Sequence, residues 1–203
     1  MNIEKKEFYC FYDNILPEEQ QIFIKKWLIE NDTFPWFFYN STVPEHYLRQ
    51  QHNDVFLNDS IQLTHSFVSY DIHTKKSQID SPYYNIAEII IKKFINLYDY
   101  KNVQILRAKT NLQFQYNNTT ENSYCAPHID LLESHHVLIY YVNDSDGDTF
   151  LFDKNKKIVN RISPKKGRIL FFNGDILHAS SLPIKSKYRS VINFDIKILN
   201  NNT

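Results

Sequence analysis

His128, Ile129 and Asp130 are followed fifty residues later by His178, and eleven residues after that by Arg189. In an extended strand, residues i and i+2 point to the same side. His128 and Asp130 can therefore offer an imidazole and a carboxylate to one point in space. A second imidazole from His178, on another short apolar segment, completes one face of a metal ion and leaves the opposite face open. Arg189 adds a planar fork of donors suited to a carboxylate held at a distance from that metal. The chemistry implied is that of a metal with vacant positions beside an anion-binding arginine.

Two imidazoles and one carboxylate on one face, with open positions opposite, form the ligand set of non-haem Fe(II) oxygenases. Further segments extend the pattern. Ile139-Tyr140-Tyr141-Val142-Asn143 follows the His-x-Asp pair, and Gly147-Asp148-Thr149-Phe150 follows that. Gly167-Arg168-Ile169-Leu170-Phe171-Phe172 precedes His178-Ala179-Ser180. In this order the segments resemble the 2-oxoglutarate/Fe(II) dioxygenases, specifically the prolyl-4-hydroxylase-like branch, over roughly residues 104–198. Asp148 stands where that branch has the second glycine of a Gly-Gly-x-Thr-x-Phe turn.

The resemblance implies a double-stranded β-helix (a jelly-roll, cupin-like core) with Fe(II) held by His128, Asp130 and His178. It implies 2-oxoglutarate and dioxygen as co-substrates, with Arg189 on the far carboxylate of 2-oxoglutarate. Many relatives carry Arg-x-Ser, and here the serine position is Val191. Tyr140, which matches a co-substrate tyrosine in some members, is expected to supply the missing hydroxyl. Tyr116 and Tyr124 are further candidates for contact with co-substrate or substrate, against the plain alternative of core tyrosines. The branch favours a peptidyl residue such as proline as substrate. The partner is then a peptide or a small molecule. Two other classes stand beside this one: a non-catalytic cupin-like binding module, and a metal-dependent hydrolase or isomerase with the same ligands. Neither needs an arginine deep in the barrel.

His135 and His136 are rival ligands. Alternation puts His136, Leu138 and Tyr140 on one side of their strand, and His135, Val137, Ile139 and Tyr141 on the other. With Tyr140 facing the cavity, His136 becomes a residue of its mouth. On the last strand Arg189, Val191 and Asn193 share one face. Ser190, Ile192, Phe194 and Ile196 share the other, which is apolar enough to pack on helices. The arginine face then lines the barrel, where a lone guanidinium is costly unless a carboxylate meets it.

These residues need a scaffold. With 203 residues, a single domain with a core of adequate size is expected. Residues 1–102 read as a support segment and 103–199 as the catalytic core. The segment 17–30 opens with Pro17, Glu18 and Glu19, carries Phe23 and Trp27 at i and i+4, and reads as a helix. So does 82–98, where Ile86, Ile90, Phe94 and Leu97 keep helical spacing. Residues 8–11 and 63–70 read as strands. From Val103 onward about eight strands follow, separated by turns. Leu112, Phe114 and Tyr116 alternate with Gln113 and Gln115 as in a half-buried strand. The fold class is mainly β with flanking helices, the two N-terminal helices buttressing one sheet.

Phe34-Pro35-Trp36-Phe37-Phe38-Tyr39 is either a wall of the substrate cavity or a core plug; proline excludes a helix interior there. The polar stretch 41–60 reads as a flap. His46, His52, His65 and His73 lack partners at ligand spacing and read as ordinary surface or packed histidines. Only three glycines are present, where about 7% usage would give roughly fourteen. All three lie between the candidate ligands and are expected at turns of positive φ. Formal net charge is zero, so there is no strong nucleic-acid signal. Two cysteines make no disulfide framework, and no stretch reaches the roughly twenty apolar residues of a membrane span. A cytoplasmic protein is the expectation.

Overall fold

The computed structural model describes residues 3–5, 9–43, 60–117 and 119–199. Most of the stretch 41–60 expected as a flap lies outside the described residues, as does the tail 200–203. Twelve strands and two helices are present among the described residues. In chain order they are β1 (Ile3–Lys5), β2 (Tyr9–Tyr12), α1 (Glu18–Ile29), β3 (Phe37–Tyr39), β4 (Gln62–Asp71), β5 (Lys76–Ile79) and α2 (Tyr84–Tyr98). There follow β6 (Val103–Phe114), β7 (His136–Tyr141), β8 (Thr149–Phe152), β9 (Ile158–Ile162), β10 (Ile169–Asn173), β11 (His178–Ser180) and β12 (Tyr188–Ile198). Both helices form where apolar spacing placed them. No described helix is long and apolar enough to cross a membrane.

The strands form two antiparallel sheets. The large one has the order β1-β2-β10-β7-β12-β6-β4-β3, with β5 also pairing with β4. The small one has the order β11-β8-β9. The N-terminal strands therefore continue the same sheet as the C-terminal ones, rather than merely supporting it.

Alternation along β7, β10 and β12 decides what each face of the large sheet meets. Leu138, Tyr140, Ile169, Ile192, Phe194 and Ile196 face the helices and pack with Ile24 and Leu28 of α1 and Ile86, Ile90 and Phe94 of α2. Val137, Ile139, Tyr141, Leu170, Phe172 and Val191 face the other way and meet Leu151 of β8 and Ile162 of β9. A sheet buried on both faces needs apolar residues at consecutive positions, and β7 and β10 supply them. This is the jelly-roll core, two sheets face to face, with helices on the outside of the larger.

Three expectations are corrected here. Of the three glycines only Gly167 has a positive φ, 77°. Gly147 and Gly174 are needed for space instead: a Cβ on Gly147 would stand 2.6 Å from the Ser181 carbonyl oxygen, and one on Gly174 2.4 Å from the His135 ring. The aromatic cluster divides. Phe34 is buried in the helix-side core and Trp36 packs against it, while Phe37, Phe38 and Tyr39 are exposed on the edge strand β3. At the end of β6 the half-buried pattern is inverted. Gln113 is buried and Phe114 exposed, because the inner face there is lined with polar groups.

Phe94 is fully buried between α2 and the sheet, where its ring meets Tyr98, Tyr100 and Phe171. Phe94→Ala is expected to destabilise the protein by about 3–5 kcal/mol, read from the midpoint of urea unfolding.

Candidate metal centre and its surroundings

His128 and His178 are joined by two backbone hydrogen bonds. The His128 N–H donates to the His178 carbonyl at 2.9 Å and the His178 N–H to the His128 carbonyl at 3.0 Å. This bridge continues the small sheet by one pair beyond β11. Directly opposed strand residues bring their side chains together on one face, and the two ring centroids stand 4.7 Å apart. Asp130, two residues on, points the same way. Its Oδ2 lies 3.2 Å from Nε2 of His178. One donor atom from each of the three lies within 4.8 Å of the others.

Each imidazole is oriented by its own backbone. Nδ1 of His128 lies 2.9 Å from the Ala126 carbonyl and Nδ1 of His178 lies 3.1 Å from that of Ile176. A carbonyl only accepts, so each Nδ1 carries a proton and Nε2 points away from the backbone. Nε2 is therefore the atom that each ring can turn to a metal; that of His178 meets Asp130 Oδ2 in this structure. Burial, with help from the nearby His178, pushes the His128 pKa down to about 4. At neutral pH it holds no second proton that a metal would have to displace.

Arg107 organises the carboxylate. Its Nη2 donates to Asp130 Oδ1, and its Nε donates to Asp195 Oδ2 at 2.6 Å. Arg107 and Asp195 are direct cross-strand partners, at a break in the β6–β12 register next to Asp195. A bulge of this kind re-aims side chains. Burial opposes ionisation of Asp130, yet Arg107 and the two imidazoles hold its pKa well below the usual carboxylate range. Oδ1 is thus committed to Arg107, and Oδ2 remains on the side of the imidazoles. Asp195 is pushed up to about 6 by burial and by the charge of Asp130, against the pull of Arg107.

Arg189 is buried on the inner face of β12. Nε donates to the Gly147 carbonyl at 2.8 Å, Nη1 to Gln113 Oε1 at 3.1 Å and Nη2 to Thr149 Oγ1 at 2.9 Å. All three acceptors are neutral. Of the five N–H donors of a guanidinium, these bonds use three. Among the described residues no carboxylate pairs with Arg189, and burial lowers its pKa. It lines one cavity with His128 and His178, beside Asn111 and Asn193. Each of these asparagines carries a buried side-chain oxygen without a hydrogen-bond partner. An arginine with no carboxylate partner among the described residues fits an anionic ligand, and the asparagine oxygens, being acceptors, fit a donor such as a water beside it.

The tyrosines fall elsewhere. Tyr140 is fully buried on the helix side of β7, away from Arg189, and its hydroxyl has no partner among the described residues. The inner residue is Tyr141, one position on. Its hydroxyl donates to Thr149 Oγ1 at 2.8 Å, and the Arg189 guanidinium stands 5.8 Å from its ring. The same alternation removes His136 from the mouth of the cavity; it stacks on Phe171 on the helix side. Tyr124 packs on Phe150 and Phe152, the side of β8 turned away from Leu151 and the inner core. Tyr116 is exposed. His65 is a packed histidine, its ring nitrogens against the Pro35 carbonyl and Ser81 Oγ.

Several inward residues had not been expected: Arg107, Lys109, Asn111 and Gln113 on β6, Thr149 on β8 and Asp195 on β12. The period-2 row Arg107, Lys109, Asn111, Gln113 was visible in the sequence. Four polar residues in alternation on a strand mark either a solvent face or a polar interior.

No protein-family model matches the chain, and no curated protein matches it in sequence. Solved structures do match in fold. A 2OG-Fe(II) oxygenase family oxidoreductase from Burkholderia pseudomallei superposes with a TM-score of 0.68 at 10% identity, over 95% of this chain and 86% of that one. The viral collagen prolyl hydroxylase of Paramecium Bursaria Chlorella virus-1, in its 2OG complex, gives 0.52 at 16% identity, over 95% and 97%. A Trichoplax adhaerens prolyl hydroxylase, solved with a peptide fragment of the hypoxia inducible factor oxygen degradation domain, gives 0.56 at 13%, over 94% and 84%. The chain shares the fold of these oxygenases.

Arg107 separates two buried carboxylates. Arg107→Met leaves them facing each other and is expected to destabilise the protein by about 3–5 kcal/mol. Adding Asp195→Asn removes one of the stranded charges and should recover part of the loss. Urea unfolding of the single and double variants measures both.

Proposed function

We propose that this chain is an Fe(II)- and 2-oxoglutarate-dependent dioxygenase that hydroxylates its substrate. One observation carries the reading. Two imidazole Nε2 atoms and one carboxylate oxygen stand together beside a buried arginine that meets no carboxylate among the described residues. A metal alone would not require the arginine, and a binding module would not require the ligands. The shared fold and the ordered motifs support the same choice.

His128, Asp130 and His178 would hold Fe(II), which suits two imidazoles and one carboxylate with open positions. Fe(II) with 2-oxoglutarate and dioxygen supplies an oxidant able to hydroxylate a C–H bond. The remaining work belongs to the chain. Arg189 orients the distal carboxylate of 2-oxoglutarate by charge and by its unused N–H donors. Gln113, Thr149 and the Gly147 carbonyl hold that guanidinium in place. Tyr141 takes the part expected of Tyr140, a hydroxyl close to Arg189 where Val191 offers none. Ile139 lines the cavity, and Val137, Leu151 and Leu170 pack with it in the dry core behind. The substrate is a peptidyl residue or a small molecule that approaches from the open side of the ligand set.

Supplied with Fe(II), oxygen and 2-oxoglutarate, the protein should form succinate slowly even without its substrate, and His178→Ala should abolish this. Equal rates in parent and mutant would place the site elsewhere. In calorimetric titrations of Mn(II)-loaded protein, Arg189→Met should weaken 2-oxoglutarate binding by about 2–5 kcal/mol. Tyr141→Phe should weaken it by about 1.5–3 kcal/mol, and Tyr140→Phe should leave it unchanged.

A further inference from the structure

A groove of about 780 Å³ runs beside the metal-ligand cavity. Phe37 and Tyr39 of the edge strand β3 wall it, and both are more than half exposed. Thr42, Gln62 and Lys109 line both the groove and the cavity. Lys109 therefore stands where one opens into the other.

Among the described residues its ammonium has no directly bonded partner, although Asp130 and Asp195 lie near it. The nearby carboxylates are Asp130 and Asp195, and Arg107 already bonds both. In the dioxygenase reading the remaining oxygen of Asp130 is a metal ligand. Lys109 itself makes no hydrogen bond or ion pair among the described residues. Burial and the neighbouring Arg107 push its pKa down to about 8. A compact ammonium with no bonded partner among the described residues, at the mouth of a low-dielectric site, favours an incoming anion.

That anion is not the distal carboxylate of 2-oxoglutarate. Arg189 lies across the ladder from Gln113, and Lys109 lies four residues back along β6, roughly 13 Å at strand rise. On the groove side of Lys109 the lining includes the aromatic rings of Phe37, Tyr39 and Tyr70, with Arg107 beside the lysine and Asp80 as the one carboxylate among the described lining residues.

We propose that the groove receives a carboxylate-bearing substrate and that Lys109 is the residue that recognises it, an inference that rests on the dioxygenase reading. Lys109 fixes the substrate's charged end, and Phe37 and Tyr39 cover its apolar part. The next stretch of substrate then enters the cavity in front of His128 and His178. A doubly charged phosphate would suit the place less well, since Asp130 and Asp195 lie near the same ammonium. Substrates in which the carboxylate is replaced by a neutral amide should be rejected.

The test uses protein loaded with Mn(II) and 2-oxoglutarate, so that no turnover occurs, and calorimetric titration with 3-phenylpropionate and 3-phenylpropanamide. These probes differ only in charge. The acid should bind about tenfold more tightly than the amide, the worth of one charge-assisted contact. Lys109→Met should erase the preference, Lys109→Arg should keep it, and both should leave 2-oxoglutarate affinity unchanged. Equal binding of acid and amide, no binding of the acid, or a preference that survives in Lys109→Met overturns the proposal. So does a loss of 2-oxoglutarate affinity in Lys109→Met, which would assign the lysine to the co-substrate. A capped phenylalanyl-aspartyl peptide in a third titration identifies the source. Tighter binding than 3-phenylpropionate means a peptide carboxylate, and weaker binding means a free organic acid. Failure of the parent to bind 2-oxoglutarate would instead reject the dioxygenase reading. The acid-to-amide comparison on metal-free protein would still report on Lys109.

Discussion

The pair of backbone hydrogen bonds between His128 and His178 is the constraint on which the candidate site depends. It ties two segments fifty residues apart into one register. Once those residues face each other, strand geometry leaves little freedom. Asp130 follows at i+2, and each Nδ1 finds a carbonyl two residues back. Slipping the pairing by one residue would turn the side chains to the opposite face and disperse all three donors. The ligand set is thus a consequence of sheet pairing more than of side-chain packing.

The large sheet gives its two faces different work. Towards the helices it is apolar along its length, and burial there holds the fold together. Towards the small sheet it changes character. Val137, Ile139, Tyr141 and Leu170 make a dry floor, whereas β6 and β12 present Arg107, Lys109, Asn111, Gln113, Arg189, Asn193 and Asp195. A buried row of this kind would be destabilising if left unmatched. Arg107 is matched by two carboxylates. Arg189 is held by neutral acceptors alone, and Lys109 by none among the described residues. Charge neutrality inside the barrel is therefore incomplete in a manner that ligands can complete.

Much of this was legible in the sequence, and the misses have physical causes. Helical spacing located both helices because each buries one stripe. Residue order pointed to the three candidate metal ligands that the fold brings together, because i and i+2 on a strand share a side. The inward direction of Arg189 followed from the apolar residues alternating with it. The same logic went astray on β7, where both faces are apolar and alternation carries no sign. The register to β10 and β12 sets Tyr141, not Tyr140, on the inner face, and His136 goes outward with Tyr140. On β6 polar residues were taken for the solvent side, although there they line the site. Asp195 could not be linked to Arg107 from the sequence, because an irregularity in register creates that pairing. The glycines at 147 and 174 answer to crowding by distant residues, which local sequence does not display.

The most direct test of the central claim is optical. Fe(II) and 2-oxoglutarate added to the protein without oxygen should together produce a weak visible charge-transfer band that neither produces alone. Arg189→Met should shift its appearance to higher 2-oxoglutarate concentration, and His178→Ala should remove it. A parent protein that binds Fe(II) yet shows no such band at any 2-oxoglutarate concentration would contradict the account.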